Sequence, residues 1–264
     1  MNIDFHVHGL LSKRKDFNEK FFLNEIKYAK RNSIDGIILC EHFNAISFKI
    51  IYNYLEENYI YEGNRYMIDG VSVFPALEVN VKGKGHVIIA GDRDDIMDIH
   101  KILEQYMEKE NFIEFDELLD MADLYNCLKI GAHPCRKGHK LFKHSEESLK
   151  RLDAIDLNAK DIFRKGEIKA KSELIELSQK LGVNIVTGSD SHTPLQIGAI
   201  FTTLNKECIT VEEIRKVIKS EEYSINISDL LPFKVYSSKV LKRYLMSTGQ
   251  YWFIEINIGW IGKK

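Results

Sequence analysis

The sequence carries almost no net charge: 37 Lys and Arg stand against 39 Asp and Glu, a formal −2 over 264 residues. That balance gives no reason to make nucleic acid the default partner, although a local basic patch stays open. No uninterrupted apolar run approaches the roughly 20 residues that a membrane-spanning helix needs, so no membrane partner is expected. The cysteines, Cys40, Cys127, Cys135 and Cys208, contain no Cys-x-x-Cys pair, and reduced thiols in a cytoplasmic protein are the expectation. The first strand-like run opens at Met1, so no secretory leader is expected. Against these absences, 44% hydrophobic and 29% charged residues are ordinary globular composition. They suffice for a sizeable core, in one large α/β domain or two small ones.

What is present is a repeated placement. His6 and His8 close the first apolar run, Met1–Phe5. Successive strand side chains face opposite sides, so these two histidines share a face and can hold one ion. Later runs end the same way: Glu41-His42 after Gly36–Cys40, Glu78 after Val71–Leu77, His133 after Leu128–Ala132, and Asp190 with His192 after Val183–Thr187. Each of these residues alone has an ordinary reading as a solvated strand end or a turn. Their recurrence predicts a ring of strands delivering metal ligands to one mouth, and hence a metal-dependent hydrolase.

Strand-like and helix-like segments alternate along the chain. Helices are expected at Phe17–Arg31, Ala45–Asn58, Asp94–Lys109, Phe115–Tyr125, Lys165–Leu181 and Val211–Ser220, the last with a Thr210/Glu213 capping box. Lys82-Gly83-Lys84-Gly85 predicts a tight hairpin into His86–Ala90, and Ala154–Leu157 a further strand. Alternating βα units of this number predict a closed α/β barrel with its site at the C-terminal strand ends. His86 begins its strand and still reaches that mouth, because the hairpin reverses direction. Beyond about Leu231 the pattern changes: Val235–Met246 predicts a basic helix, and Tyr251–Trp260 is dense in aromatic and branched residues.

Six elements in order resemble the PHP (polymerase and histidinol phosphatase) superfamily: His6-Val7-His8, Cys40-Glu41-His42, Leu77-Glu78-Val79, Gly85-His86-Val87, Ala132-His133-Pro134 and Gly188-Ser189-Asp190-Ser191-His192. The resemblance implies a distorted (β/α)7 TIM-like barrel over residues 1–228, with 229–264 a C-terminal extension of unknown role. It implies two or three divalent metals and hydrolysis of phosphate esters. By motif, His6, His8, Glu78 and Asp190 would hold a first metal; Glu78 would bridge to a second completed by His86 and His133. His42 and His192 would help hold a third. Glu78, Asp190 and His192 are the expected catalytic group. Imidazole and carboxylate ligands suit Mn²⁺, Fe²⁺ or Zn²⁺, and paired metals activate water without a side-chain nucleophile.

One segment departs from the family. After His8, where trinuclear members usually place another His or Asp, stands Gly9-Leu10-Leu11-Ser12-Lys13-Arg14-Lys15-Asp16, with only Asp16 as a conventional ligand. Lys13 or Arg14 is then a candidate contact for a substrate anion. Arg136 and Asn158 are candidate substrate-binding residues, Arg136 as a bidentate phosphate clamp or as a plain loop ion pair. Glu41 is expected beside the ligands or at the surface, His100 on a helix surface, and His139 and His144 in a solvated basic loop. The leading expectation is a phosphomonoesterase acting on a small phosphorylated metabolite. A nuclease or phosphodiesterase using Arg136, Lys137, Lys140 and Lys143 comes second, and a non-catalytic metal-binding module third. An amidohydrolase would need a bridging lysine, for which the sequence offers no match.

Overall fold

A computed structural model describes residues 1–250. The aromatic run Tyr251–Trp260 lies outside the described residues. Strand β1 (Asn2–Val7) is followed by α1 (Glu19–Arg31), β2 (Gly36–His42) and α2 (Phe48–Asn58). Asn18 caps α1 by accepting from Phe21 N at 2.9 Å, and α1 buries Phe21, Phe22, Ile26 and Ala29. The polar stretch after α2 is a small hairpin, β3 (Tyr61–Glu62) and β4 (Arg65–Ile68), laid antiparallel on β5 (Val71–Asn80). Next come β6 (His86–Ala90), α3 (Arg93–Leu103), α4 (Phe115–Leu124), β7 (Leu128–Ala132), α5 (Glu146–Leu149) and β8 (Ala154–Asn158).

The helix expected over Lys165–Leu181 is present from Glu167 to Leu181, preceded by a short helix with no counterpart in the sequence reading. Gly166, at φ +82°, separates α6 (Ala159–Lys165) from α7 (Glu167–Leu181). Strand β9 (Asn184–Gly188), β10 (Ile200–Leu204), α8 (Val211–Ser220), β11 (Tyr223–Ile227) and α9 (Leu231–Thr248) complete the chain. The Thr210/Glu213 capping box at α8 is present as expected. His100, expected on a helix surface, is buried instead: its ring stacks on Phe48 at 4.1 Å with neither nitrogen hydrogen-bonded.

The barrel strands run β1-β2-β5-β6-β7-β8-β9. All pair in parallel except β6, which is antiparallel to both neighbours, because the Lys82–Gly85 hairpin turns the chain back. Gly85 sits at φ +124° in that turn, where a side chain would be strained. Closure occurs at the mouth. Asp190 N donates to His6 O at 2.8 Å and His8 N to Ser191 O at 3.0 Å. At its other end β1 pairs antiparallel with β10 (Asn2 with Thr203, Ile3 with Thr202), so the barrel is distorted and closed only near the site.

Alternate strand residues build two apolar layers. Ile38 and Cys40 of β2, Phe74 and Ala76 of β5, Ile88 and Ala90 of β6, and Leu128 and Ile130 of β7 fill the interior together with Ile3 and Phe5. Val211, Ile214, Val217 and Ile218 of α8 join that cluster and plug the end opposite the mouth. Full burial of such side chains stabilises by about 1.5–3 kcal/mol each. Ile37, Leu39, Leu77 and Val79 face the other way, against α1 to α4. Residues 229–250 dock on the mouth side: Thr193 Oγ1 bonds Ser238 Oγ at 2.9 Å, Lys234 Nζ donates to Ile197 O at 3.0 Å, and Leu245 packs with Leu11 and Phe21.

Candidate metal centre

The inward row of β5 is Phe74, Ala76, Glu78, so Glu78 emerges at the top of the barrel interior. Five imidazoles surround its carboxylate. Oε1 lies 2.7 Å from His86 Nδ1, 3.1 Å from His133 Nε2 and 3.6 Å from His6 Nε2. Oε2 lies 3.0 Å from His42 Nδ1 and 3.4 Å from His8 Nε2. Asp190 is the second anion: Oδ1 is 2.8 Å from Lys160 Nζ and 3.7 Å from both His8 Nε2 and His192 Nε2. Its other oxygen accepts from Arg136 Nη1 at 2.8 Å.

Three local devices bring these side chains together. Strand alternation would turn His6 away from the side that Phe5 faces. A register shift between Asp4 and Val7 breaks the alternation, so Phe5 lines the interior while Val7 pairs with the outward Leu39, and His6 and His8 both turn inward. His133 (φ +35°) and Asp190 (φ +55°) sit in the left-handed region just beyond their strands, a conformation costing about 1–2 kcal/mol for a residue with a Cβ. Gly188 permits the closure, because a Cβ there would lie 2.5 Å from His6 Cβ and 2.7 Å from Asp156 Oδ2.

Burial and charge set the protonation. Desolvation holds His8 and His42 down to about 3 and His133 and His192 well below the usual imidazole range, so they are neutral, the form that binds metal. Burial acts against ionisation of Glu78 and Asp190, but the cations around them outweigh it and both carboxylates are held well below their usual range. His6 is the exception. Burial would lower it, yet Glu78, Asp190 and Asp156 draw a proton onto it and raise it to about 10. The surrounding anions thus demand positive charge at the centre, which a cation can supply in place of that proton.

The residues fit a metal site on their own chemistry. Four overlapping groups could each hold an ion: His6, Glu78 and His133; His8, His42 and His192; His86, His133 and His139; and His6, His8 and Cys40. Buried Nδ1 atoms of His8 and His133 have no hydrogen-bond partner among the described residues. Asp156 bonds His6 Nδ1 at 3.0 Å, the carboxylate–imidazole pairing that orients metal-bound histidines. Asp156 also accepts from His133 N, so one carboxylate braces two candidate ligands.

All eight expected ligands, His6, His8, His42, Glu78, His86, His133, Asp190 and His192, therefore meet at one mouth. Asp16 does not; it is exposed and joins none of the metal-ligating groups found among the described residues. Lys13 donates to Asn44 Oδ1 at 3.3 Å, and Arg14 is exposed. Glu41 is buried and accepts from Leu10 N at 2.8 Å, fixing the loop after β1. Arg136 and Asn158 are at the mouth and bonded to their neighbours. Arg136 donates to Asp161 at 3.1 Å, Asp190 at 2.8 Å and Asn158 at 2.5 Å, while Asn158 also caps α6. Here that guanidinium holds protein carboxylates rather than standing free for a phosphate.

Sequence reasoning missed three participants. His139, expected in solvent, lies with its Nδ1 3.1 Å from His86 Nε2. Asp156 was legible in principle, since it precedes Asn158 by two on an inward strand row. Lys160 gave no signal, because a lysine in the first turn of a helix is ordinarily solvated.

Comparisons with known proteins agree with this geometry. The PHP-associated family, PHP_C, matches residues 171–223, which carry β9 and the Asp190/His192 motif. PsfC of Pseudomonas syringae superposes with a TM-score of 0.76 at 21% identity, over 93% of this chain and 98% of that one. The two chains share one fold. The barrel is also similar to the lesion-specific endonuclease Q of Pyrococcus furiosus (TM-score 0.63, 20% identity, 85% of this chain and 57% of that one). A two-domain Bacteroides vulgatus protein, described as containing a predicted PHP-like metal-dependent phosphoesterase, gives 0.55 at 15% identity, over 90% and 69%. The chain thus spans little more than half of the endonuclease Q chain. No curated protein sequence matches it.

Proposed function

We propose that this chain is a metal-dependent phosphoesterase hydrolysing a phosphate monoester of a small metabolite. The observation that carries the reading is Glu78, buried and ringed by His6, His8, His42, His86 and His133 with Asp190 beside it. A buried carboxylate ringed by so many imidazoles is an ion site rather than a structural ion pair. His6, His8, Glu78 and Asp190 would hold one metal, Glu78, His86 and His133 a second, and His8, His42 and His192 are placed for a third. Mn²⁺, Fe²⁺ or Zn²⁺ bound there would supply Lewis acidity toward a phosphoryl oxygen and a nucleophilic water.

The chain's own residues do the rest. Asp156 fixes the ring of His6 through Nδ1, leaving Nε2 for the centre. Lys160 and Arg136 keep Asp190 ionised and aimed inward. His192 Nδ1 faces Leu10 O at 3.3 Å, which leaves its Nε2 directed at the same space. Lys160, half-buried at the mouth, is also placed to neutralise an incoming phosphoryl group.

A nuclease or phosphodiesterase is the second reading, favoured by the likeness to endonuclease Q; the near-neutral charge of the chain weighs against it. The test is reconstitution with Mn²⁺, Fe²⁺ or Zn²⁺, followed by assay on phosphorylated metabolites and oligonucleotides, with Glu78→Gln in parallel. Monoester turnover that Glu78→Gln abolishes together with metal content, at unchanged far-UV circular dichroism, is expected. Preference for oligonucleotides would promote the second reading, and full metal occupancy in Glu78→Gln would remove the proposed bridge.

A further inference from the structure

Helix α9 is not used by the metal centre, yet it brings cations to its edge. Lys239, Lys242 and Arg243, with Met246 and Ser247, line a cavity of about 520 Å³. Lys239 lies over the Phe163 ring, its Nζ 4.1 Å from the centroid, which fixes the ammonium in place. Lys242 is half-buried. No hydrogen bond or ion pair satisfies either ammonium among the described residues, although desolvated cations are normally paired. Helix α9 itself docks beside the metal mouth: Ser238 Oγ accepts from Thr193 Oγ1, one residue past His192, at 2.9 Å. The field of Lys242 reaches Lys160, Asp190 and His192, and that of Lys239 reaches Lys160 and Arg136. Burial and Lys160 pull the Lys242 ammonium down to about 8.

We propose that α9 completes the active site, Lys239, Lys242 and Arg243 seating a second anionic group of a small substrate whose scissile phosphate sits at the Glu78–Asp190 centre. This rests on the phosphoesterase reading above and names its substrate class: a bisphosphate or a phosphorylated acid. A plainly solvated lysine face would extend into water, as Lys216 and Lys219 do on α8 with side chains 67% and 65% exposed. Lys239 instead lies over the Phe163 ring, and Lys242 is half-buried.

The test compares propane-1,3-diol monophosphate with its bisphosphate, using the metal-loaded full chain, Lys239→Ala/Lys242→Ala, and Lys239→Arg/Lys242→Arg. The wild type should favour the bisphosphate by about 10-fold or more in kcat/KM. The Ala pair should lose that preference mainly through KM, and the Arg pair should keep it. Equal kcat/KM on both esters, or an undiminished preference in the Ala pair, overturns the proposal. If no ester is turned over, the phosphoesterase reading fails, and calorimetric binding of inorganic pyrophosphate against orthophosphate decides the α9 site separately. Tighter pyrophosphate binding that the Ala pair loses supports it, and equal binding of the two overturns it.

Discussion

His6 on β1 and Asp156 on β8 are 150 residues apart in sequence, yet Nδ1 and Oδ2 meet at 3.0 Å beneath the metal mouth. That bond fixes which imidazole nitrogen faces the centre. Asp156→Asn keeps the shape and removes the charge. It should weaken Mn²⁺ binding by about 10- to 100-fold, the range for partners of metal-bound histidines. Calorimetric titration of Mn²⁺ measures this, and unaltered affinity would show that His6 is not a ligand.

Gly188→Ala places a methyl group 2.5 Å from His6 Cβ and 2.7 Å from Asp156 Oδ2. Overpacking of this kind costs about 1–3 kcal/mol. A lowered melting temperature together with reduced metal content is expected. Wild-type values for both would mean that β1 and β9 shift apart without consequence.

Arg136→Ala removes donors to Asp161, Asp190 and Asn158 at once. Breaking a buried pair from one side costs about 3–5 kcal/mol, because the stranded carboxylates keep their desolvation penalty. Strong destabilisation, with similar fractional losses on monoester and diester substrates, is expected. An unchanged melting temperature with a KM increase confined to monoesters would return Arg136 to the substrate.

Glu25 on α1 is buried with neither carboxylate oxygen hydrogen-bonded. Burial, reinforced by Glu41, pushes its carboxyl well above the usual range despite Lys242. The folded state then holds a proton that the unfolded chain releases near pH 4.5, so Glu25 takes stability away as pH rises from there toward its folded pKa. Glu25→Gln should raise the melting temperature at pH 8 and do so less at pH 5. An equal change at both values would mean that Glu25 does not titrate anomalously.

The ligand motifs were legible because strand periodicity and strand ends are local properties. His6, His8, His42, Glu78, His133, Asp190 and His192 each terminate or follow an apolar run, and the Lys82–Gly85 turn announces the reversal that brings His86 to the same mouth. The ring of β1, β2, β5, β6, β7, β8 and β9 follows from alternation of strands and helices. Other features had no local signature. The shift in β1 that turns both His6 and Phe5 inward is set by pairing with β2. Arg136 lay two residues past a ligand, and only tertiary contact shows its donors taken by Asp161, Asp190 and Asn158. Lys160, Asp156, His139 and the cations of α9 gain their roles from neighbours 20 to 150 residues away, through fields and hydrogen bonds that act across space rather than along the chain. The sequence by itself determined the candidate ligands and the barrel that gathers them; the tertiary structure decided which charges hold those side chains in place, because burial and pairing exist only once the strands have closed.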